Sequence, residues 1–350
     1  MLLNVQMLRA IAALLVVFVH LGRLAELAGL PADVTYFGNS GVDLFFVISG
    51  MIMVMTTAGG RQTPLGFLRN RIIRVVPLYW AITLAVFAIA VFAPRLVQST
   101  TADPIHLLKS LSFVPFQRPD GRMHPTVFVG WSLNYEMMFY LLFAIGMAMP
   151  RRWAGIALSC GLLLAAVAAG LLLRPADAVL RFYFQPLILE FAAGMVLGAL
   201  VERLPARPRW RWPAALTGAA AFAVMLAGPV LLPGADRAVM FGIPAVVIVT
   251  AAVIAERAGL AARDARIQLL GAASYAIYLT HFFCTQLVTK AAERLAGLGP
   301  GAMLALVPVA FLLVVLVAVL VHRRLELPLT ELARRCFAPL RTSRQPSVAI

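Results

Sequence analysis

The sequence is poor in charge. Only 13% of its 350 residues are Asp, Glu, Lys or Arg, about half the share a soluble domain carries, which excludes a large soluble domain. Acidic residues are scarcer still, 15 against 30 basic ones. Lysine is almost missing: Lys109 and Lys290 stand among arginines. Three cysteines follow no pairing pattern. Cys160 and Cys284 fall inside apolar runs and Cys336 in the C-terminal tail, so neither a disulfide framework nor a thiolate metal site is expected. There is no alternating apolar/polar pattern of the kind a membrane β-barrel needs. No internal repeat is visible, which weighs against inverted-repeat transporters.

What is present is apolar length. The composition is 62% hydrophobic and the mean hydropathy +0.90. Ten segments approach the twenty residues a spanning helix requires: 7–28, 37–58, 72–93, 126–149, 153–173, 179–200, 212–232, 238–256, 267–289 and 302–322. The expectation is an all-α, polytopic transmembrane helical bundle. Residues 1–322 form one transmembrane domain and 323–350 a basic tail. In the tail, LELPLTELARRCFAPL suits a short amphipathic interfacial helix ended by Pro339. The first segment is long, carries His20 within it and lacks a small-x-small site, so it reads as part of the bundle and not as a cleaved signal. With an even number of spans, the arginines at 9, 61, 69, 71, 74, 151, 152, 203, 207, 209, 211, 257, 263, 266, 323, 324, 334, 335, 341 and 344 share one side. The positive-inside rule makes that side, and both termini, cytoplasmic. The net charge of +15 thereby orients the chain and attracts anionic membrane lipids, and no nucleic-acid partner is expected. The longest connection, 94–125, falls on the opposite side, and a loop of that length in a compact bundle is functional or disordered. Gly194 and Gly198 form a GxxxG pair, most simply a close helix contact, which also leaves a homodimer open.

Ionisable groups inside apolar runs are the candidates for chemistry. Arg9 and His20 lie eleven residues apart, about three helical turns and 16 Å on one face. A neutral imidazole at that depth can accept a proton from a hydroxyl; the plainer reading is a packing histidine. Glu136 shares a helical face with Ser132 and Tyr140. A buried carboxylate needs a partner, and His20 or an arginine is the natural one. Asp43 sits near the start of the second segment, either as a functional carboxylate or as one favoured by the helix dipole. Arg71 and Arg74, one turn apart at the cytoplasmic mouth of the third segment, suit phosphate oxygens or serve as plain anchoring charges. His281 has Tyr278 as a neighbour in the ninth segment, with a structural or an acceptor-side role.

Together these segments resemble the acyltransferase-3 family of integral membrane acyltransferases. The resemblance rests on Arg9-x10-His20, on Arg71-x-x-Arg74 followed by Pro77 and Tyr79, on SGVDLFFVISG at 40–50, ILEFAAGMVLG at 188–198 and SYAIYLTH at 274–281. It runs in order over about residues 1–330. WSLNYEMMFY departs from the commoner pair of adjacent glutamates, with Met137 in the second place, and looks more like the exopolysaccharide O-acetyltransferase branch.

The resemblance implies a bacterial inner-membrane enzyme. It would transfer an acyl group, often acetyl, from acyl-coenzyme A to a hydroxyl of a cell-surface or exported glycan or its lipid-linked precursor. No tightly bound cofactor and no metal are expected; acetyl-coenzyme A is the donor substrate. No fused extracytoplasmic hydrolase-like domain accompanies these spans, so transfer is completed in the bundle or passed to a partner. On this reading His20 is the general base, oriented by Glu136 or Asp43. Arg71, Arg74 and Arg9 serve the coenzyme, and Ser132, Tyr140, Tyr278 and His281 contact substrate. A proton-coupled transporter or glycan flippase using the same His, Glu and Asp as a relay is the alternative, and a structural subunit of an export complex a third.

Overall fold

A computed structural model describes residues 2–60, 62–96, 102–118, 121–204, 206–294, 297 and 299–337. The architecture is helical, with no strand among the described residues. The fifteen α-helices in chain order are α1 (Leu3–Val19), α2 (Gly22–Leu27), α3 (Ser40–Thr57), α4 (Pro64–Phe92), α5 (Pro104–Leu111), α6 (Trp131–Met147), α7 (Arg152–Leu173), α8 (Ala178–Tyr183), α9 (Leu189–Leu200), α10 (Arg211–Leu231), α11 (Ile243–Arg257), α12 (Ala265–Ala272), α13 (Ser274–Arg294), α14 (Pro300–Val321) and α15 (Leu327–Cys336). Seven helical stretches among the described residues are long and apolar enough to cross a membrane. An eighth results if α12 and α13, bent by 74°, count as one broken span. Two predicted spans are shorter than their sequence suggests. The first breaks at His20, and the sixth is divided at Phe184 and Gln185 into α8 and the apolar helix Pro186–Leu200.

The first helix is held by polar groups at its N-terminal end. Its opening amides, from Leu3 and Asn4, donate to the Glu256 carboxylate at 2.8 and 2.7 Å, which caps the helix and complements its dipole. The Asn4 side chain donates to the carbonyls of Ala252 and Leu260 and accepts from the amide of Ala262. Gln268 donates to the carbonyls of Leu3 and Ala262. These bonds fix α1 against the end of α11 and the start of α12, and so fix the height of Arg9.

Glycine sets the centre of the bundle. A Cβ on Gly50 would meet the Phe191 carbonyl and one on Gly194 the Val47 carbonyl, so α3 and α9 cross backbone to backbone. The GxxxG pair is therefore spent inside the chain and lends no support to a homodimer. Phe191 stacks between Phe46 and Phe139, at centroid distances of 4.3 and 4.2 Å, joining α6 to this crossing.

The long connection has structure of its own. Asp103 caps α5 through the amides of Ile105 and His106, and the His106 amide, with that of Ile105, holds its carboxyl below the usual range. Trp80 donates to the Leu111 carbonyl at 2.9 Å and ties α5 to α4. The tail segment forms a helix, α15, which follows α14 through a π-helical turn, His322–Glu326; Pro339 lies outside the described residues.

Gly194→Val places a branched side chain against backbone and should lower the stability of the detergent-solubilised protein by about 2–3 kcal/mol. Gly161→Val, at a site with nothing within 4 Å, should leave its thermal midpoint unchanged.

Candidate active site

A cavity of about 560 Å³ opens between α1, α3, α4, α6, α13 and the α14–α15 turn. Its rim carries Gln6, Asn70, Arg71, Arg74 and Arg334, with the buried His322 beside them. Deeper come Arg9, Ser49, Glu136 and Tyr140, and its apex is formed by Phe45, Ser132 and Tyr278. Helix α6 supplies the ladder: Ser132, Glu136 and Tyr140 recur every fourth residue and all face the cavity, about 12 Å from first to last. The break between α12 and α13 turns Ser274, Tyr275 and Tyr278 toward the same space. Irregular backbone at membrane depth is tolerated where it lines such a cavity.

Most charges in the cavity have partners that hold them in place. Glu136 Oε1 accepts from Ser49 Oγ and from Tyr140 Oη, both at 2.6 Å, with the guanidiniums of Arg71 and Arg9 as the facing positive charge. Arg74 pairs at 3.3 Å with the buried carboxylate of Glu326. Arg71 lies over the Phe67 ring, 5.3 Å from its centroid, and donates to Thr56 Oγ1 at 3.4 Å. Arg9 donates to Gln6 Oε1 at 3.3 Å. Arginines gathered at a concave, partly apolar mouth can bind phosphate oxygens.

His20 is placed elsewhere. It caps the C-terminal end of α1, above the apex of the cavity, and its neighbours are histidine and aromatic rings. Its Nδ1 lies 2.8 Å from the Val16 carbonyl and 3.3 Å from His281 Nε2. His281, with no exposed surface, has its own Nδ1 3.1 Å from the Ile277 carbonyl. A carbonyl only accepts, so both Nδ1 atoms carry the proton. His281 Nε2 then accepts from His20 Nδ1–H, and the lone pair of His20 is left on Nε2. No hydrogen-bond partner for that atom occurs among the described residues. Phe128 and Phe282 meet the His20 ring edge-on at 5.9 and 5.6 Å, and His124 lies beyond Phe128. The end of the long connection thus roofs the His20 side.

Between the cavity and the His20–His281 pair stands Tyr278. Its hydroxyl donates to the Val129 carbonyl at 2.8 Å and lies 2.6 Å from Ser132 Oγ. Its ring is 6.0 Å from Phe45 and 5.9 Å from His281. The Tyr278 ring thus lies between a basic cavity and His281, the partner of His20.

The structure brings Arg9, Arg71, Arg74, Glu136, Ser132, Tyr140 and Tyr278 to one cavity. It does not bring either predicted carboxylate to His20. Glu136 is at the depth of Arg9, where Ser49 and Tyr140 occupy it. Asp43, in the first turn of α3, is buried in a bidentate pair with Arg237 at 3.1 and 2.8 Å. Arg237 also bonds the Asn39 carbonyl. His281 is fully buried and does not line the cavity; its Nε2 meets His20 Nδ1. These differences arise because the first helix ends at Val19, so His20 belongs to the level of α13 and not to that of Glu136. Ser49, Tyr275, Glu326 and Arg334 were not singled out from sequence. Ser49 lies within SGVDLFFVISG and Glu326 within LELPLTEL, stretches whose other residues drew attention.

Comparison with known proteins bears on this arrangement. The family described as an acyltransferase domain matches residues 2–323. The exopolysaccharide production protein ExoZ of Rhizobium meliloti (strain 1021) is 37% identical over 310 residues, covering 85% of this chain and 91% of that protein. No solved structure matches the chain.

The Asp43–Arg237 pair has a structural signature. Asp43→Asn, which removes the paired charge of a largely buried guanidinium, should cost about 3 kcal/mol of stability. Adding Arg237→Gln should recover at least half of it in a double-mutant cycle. A fully stable Asp43→Asn protein with no chemistry would instead place Asp43 in the reaction.

Proposed function

The chain belongs to the acyltransferase-3 family and is a multi-pass membrane acyltransferase, and from that premise we propose that it carries an acyl group, acetyl in the first instance, from cytoplasmic acyl-coenzyme A to a hydroxyl of an exopolysaccharide or its lipid-linked precursor. The exopolysaccharide acceptor follows from the similarity to ExoZ. The positive-inside rule supports the arginine-rich face as the cytoplasmic one, and the similarity to a bacterial exopolysaccharide production protein supports a bacterial inner membrane. The observation that carries the reading is a single cavity, arginines at its mouth, ending one aromatic layer below the His20–His281 pair.

Arg71, Arg74 and Arg9 hold the phosphate-bearing end of the coenzyme, and its pantetheine arm follows the α6 face toward Ser132. The acceptor reaches His20 from the side roofed by Phe128 and His124. His20 Nε2 takes the proton of the acceptor hydroxyl as the oxygen attacks the thioester carbonyl. The tetrahedral intermediate collapses with loss of the coenzyme thiolate, which recovers that proton from His20. His281 holds the Nδ1–H tautomer and the ring angle, the part a carboxylate plays in a hydrolytic triad. Movement of the Tyr278 ring joins the two compartments, and the Ser132 hydroxyl, released from Tyr278, can donate to the oxyanion. A site between the two faces spares the coenzyme from crossing the bilayer. The partners found for Glu136 and Asp43 give the transporter alternative no added support, because neither carboxylate meets His20.

The test is acceptor-dependent release of coenzyme A by the purified protein. His20→Ala should lose about 10²–10⁴-fold in kcat while still binding acetyl-coenzyme A. His281→Ala should lose less and be partly rescued by His281→Asn, which keeps a hydrogen-bond acceptor. Arg71→Ala and Arg74→Ala should raise KM with little change in kcat. Loss of less than tenfold in the His20 variant would remove it as the base.

A further inference from the structure

Resting on the acyl-coenzyme A reading, we propose that the C-terminal helix α15 is the outer wall of the donor site and that Arg334 binds a phosphate of the coenzyme. The family match ends at residue 323, so α15 lies beyond it, and nothing in the RxxR pattern points to this helix.

Three contacts dock the segment at the mouth. Glu326, with no exposed surface, accepts from His322 Nδ1 at 2.7 Å and pairs with Arg74 at 3.3 Å. Leu327 and Arg334 line the cavity beside Gln6 and Arg71. Arg69 Nη1 donates to the Phe337 carbonyl at 3.4 Å, at the far end of the helix. The connection is a π-helical turn, a geometry that recurs at functional sites.

Charge then selects Arg334. Coenzyme A presents several phosphate charges, while Glu326 offsets Arg74 and Glu136 faces both Arg9 and Arg71. Arg334 adds positive charge at the rim. Its side chain is 67% exposed and its carboxylate neighbour, Glu331, is 4.0 Å away, a loose pair that costs little to exchange for a phosphate. Arg335, next in sequence, pairs more closely with Glu331, at 3.1 Å, and does not line the cavity. The two arginines make a matched comparison on one helix.

The experiment uses the full chain in nanodiscs of zwitterionic lipid and measures KM and binding for acetyl-coenzyme A and for S-acetylpantetheine, which lacks the phosphates. Arg334→Ala should weaken acetyl-coenzyme A about tenfold, the scale of one charge-assisted phosphate contact. It should leave kcat and the S-acetylpantetheine reaction unchanged. Arg335→Ala should match wild type, and Arg334→Lys should keep part of the affinity, which guards against a folding artefact. Three outcomes would overturn the proposal: unaltered acetyl-coenzyme A affinity, an equal loss with S-acetylpantetheine, or a loss seen only when anionic lipid is added, which would make Arg334 a headgroup ligand. Failure of wild type to bind any acyl-coenzyme A would sink the donor reading itself, a result distinct from a normal wild type beside an unimpaired Arg334→Ala.

Discussion

A polar group in hydrocarbon must find its partner inside the protein, and that requirement organises this bundle. Where the partners are fully matched, they lock helices. The Glu256 carboxylate caps α1, Asn4 and Gln268 close the gap to the 258–264 turn, and the Asp43–Arg237 pair ties α3 to the start of α11. At the mouth of the bundle the matching is looser. Arg9, Arg71 and Arg334 reach one cavity, and His20 keeps an unspent lone pair above it.

Broken helices create those open places. A continuous first span would have carried His20 into a helical face at mid-membrane. Ending α1 at Val19 instead lets the ring turn to His281. A continuous ninth span would have kept Tyr275 and Tyr278 in line with the 265–272 segment. The 74° bend directs them to the cavity and its apex. The result is a basic cavity on one side of Tyr278 and the His20–His281 pair, packed among aromatic rings, on the other. That division suits a transfer between a charged donor on one side of a membrane and an acceptor on the other.

Much of this was legible in the sequence. Apolar length gave the helical membrane bundle, and every predicted apolar segment contains helix. Spacing gave the shared face of Ser132, Glu136 and Tyr140, and the family resemblance gave the common role of Arg9, Arg71 and Arg74, which line one cavity. The pairing of His20 was not legible. Periodicity fixes which side of a helix a residue faces but not the depth at which two helices meet, and Glu136 proved to be level with Arg9. Arg237 sits outside the predicted spans, in a polar stretch that reads as loop, so nothing marked it as the partner of Asp43. Glu326 and Arg334 were hidden for a related reason: a basic tail after the last span looks like solvated charge until its one buried carboxylate is seen to anchor it against α4.

The central claim is that a donor in the arginine-lined cavity meets a base that lies beyond Tyr278. A cryo-EM structure of the protein bound to a non-hydrolysable acetyl-coenzyme A analogue tests it most directly. The account predicts phosphates at Arg71 and Arg74, a displaced Tyr278 ring, and the acyl carbonyl within reach of a hydroxyl hydrogen-bonded to His20 Nε2. An acyl carbonyl lodged beside Ser49 and Glu136, with Tyr278 unmoved and His20 remote, would contradict it and move the chemistry to that pair.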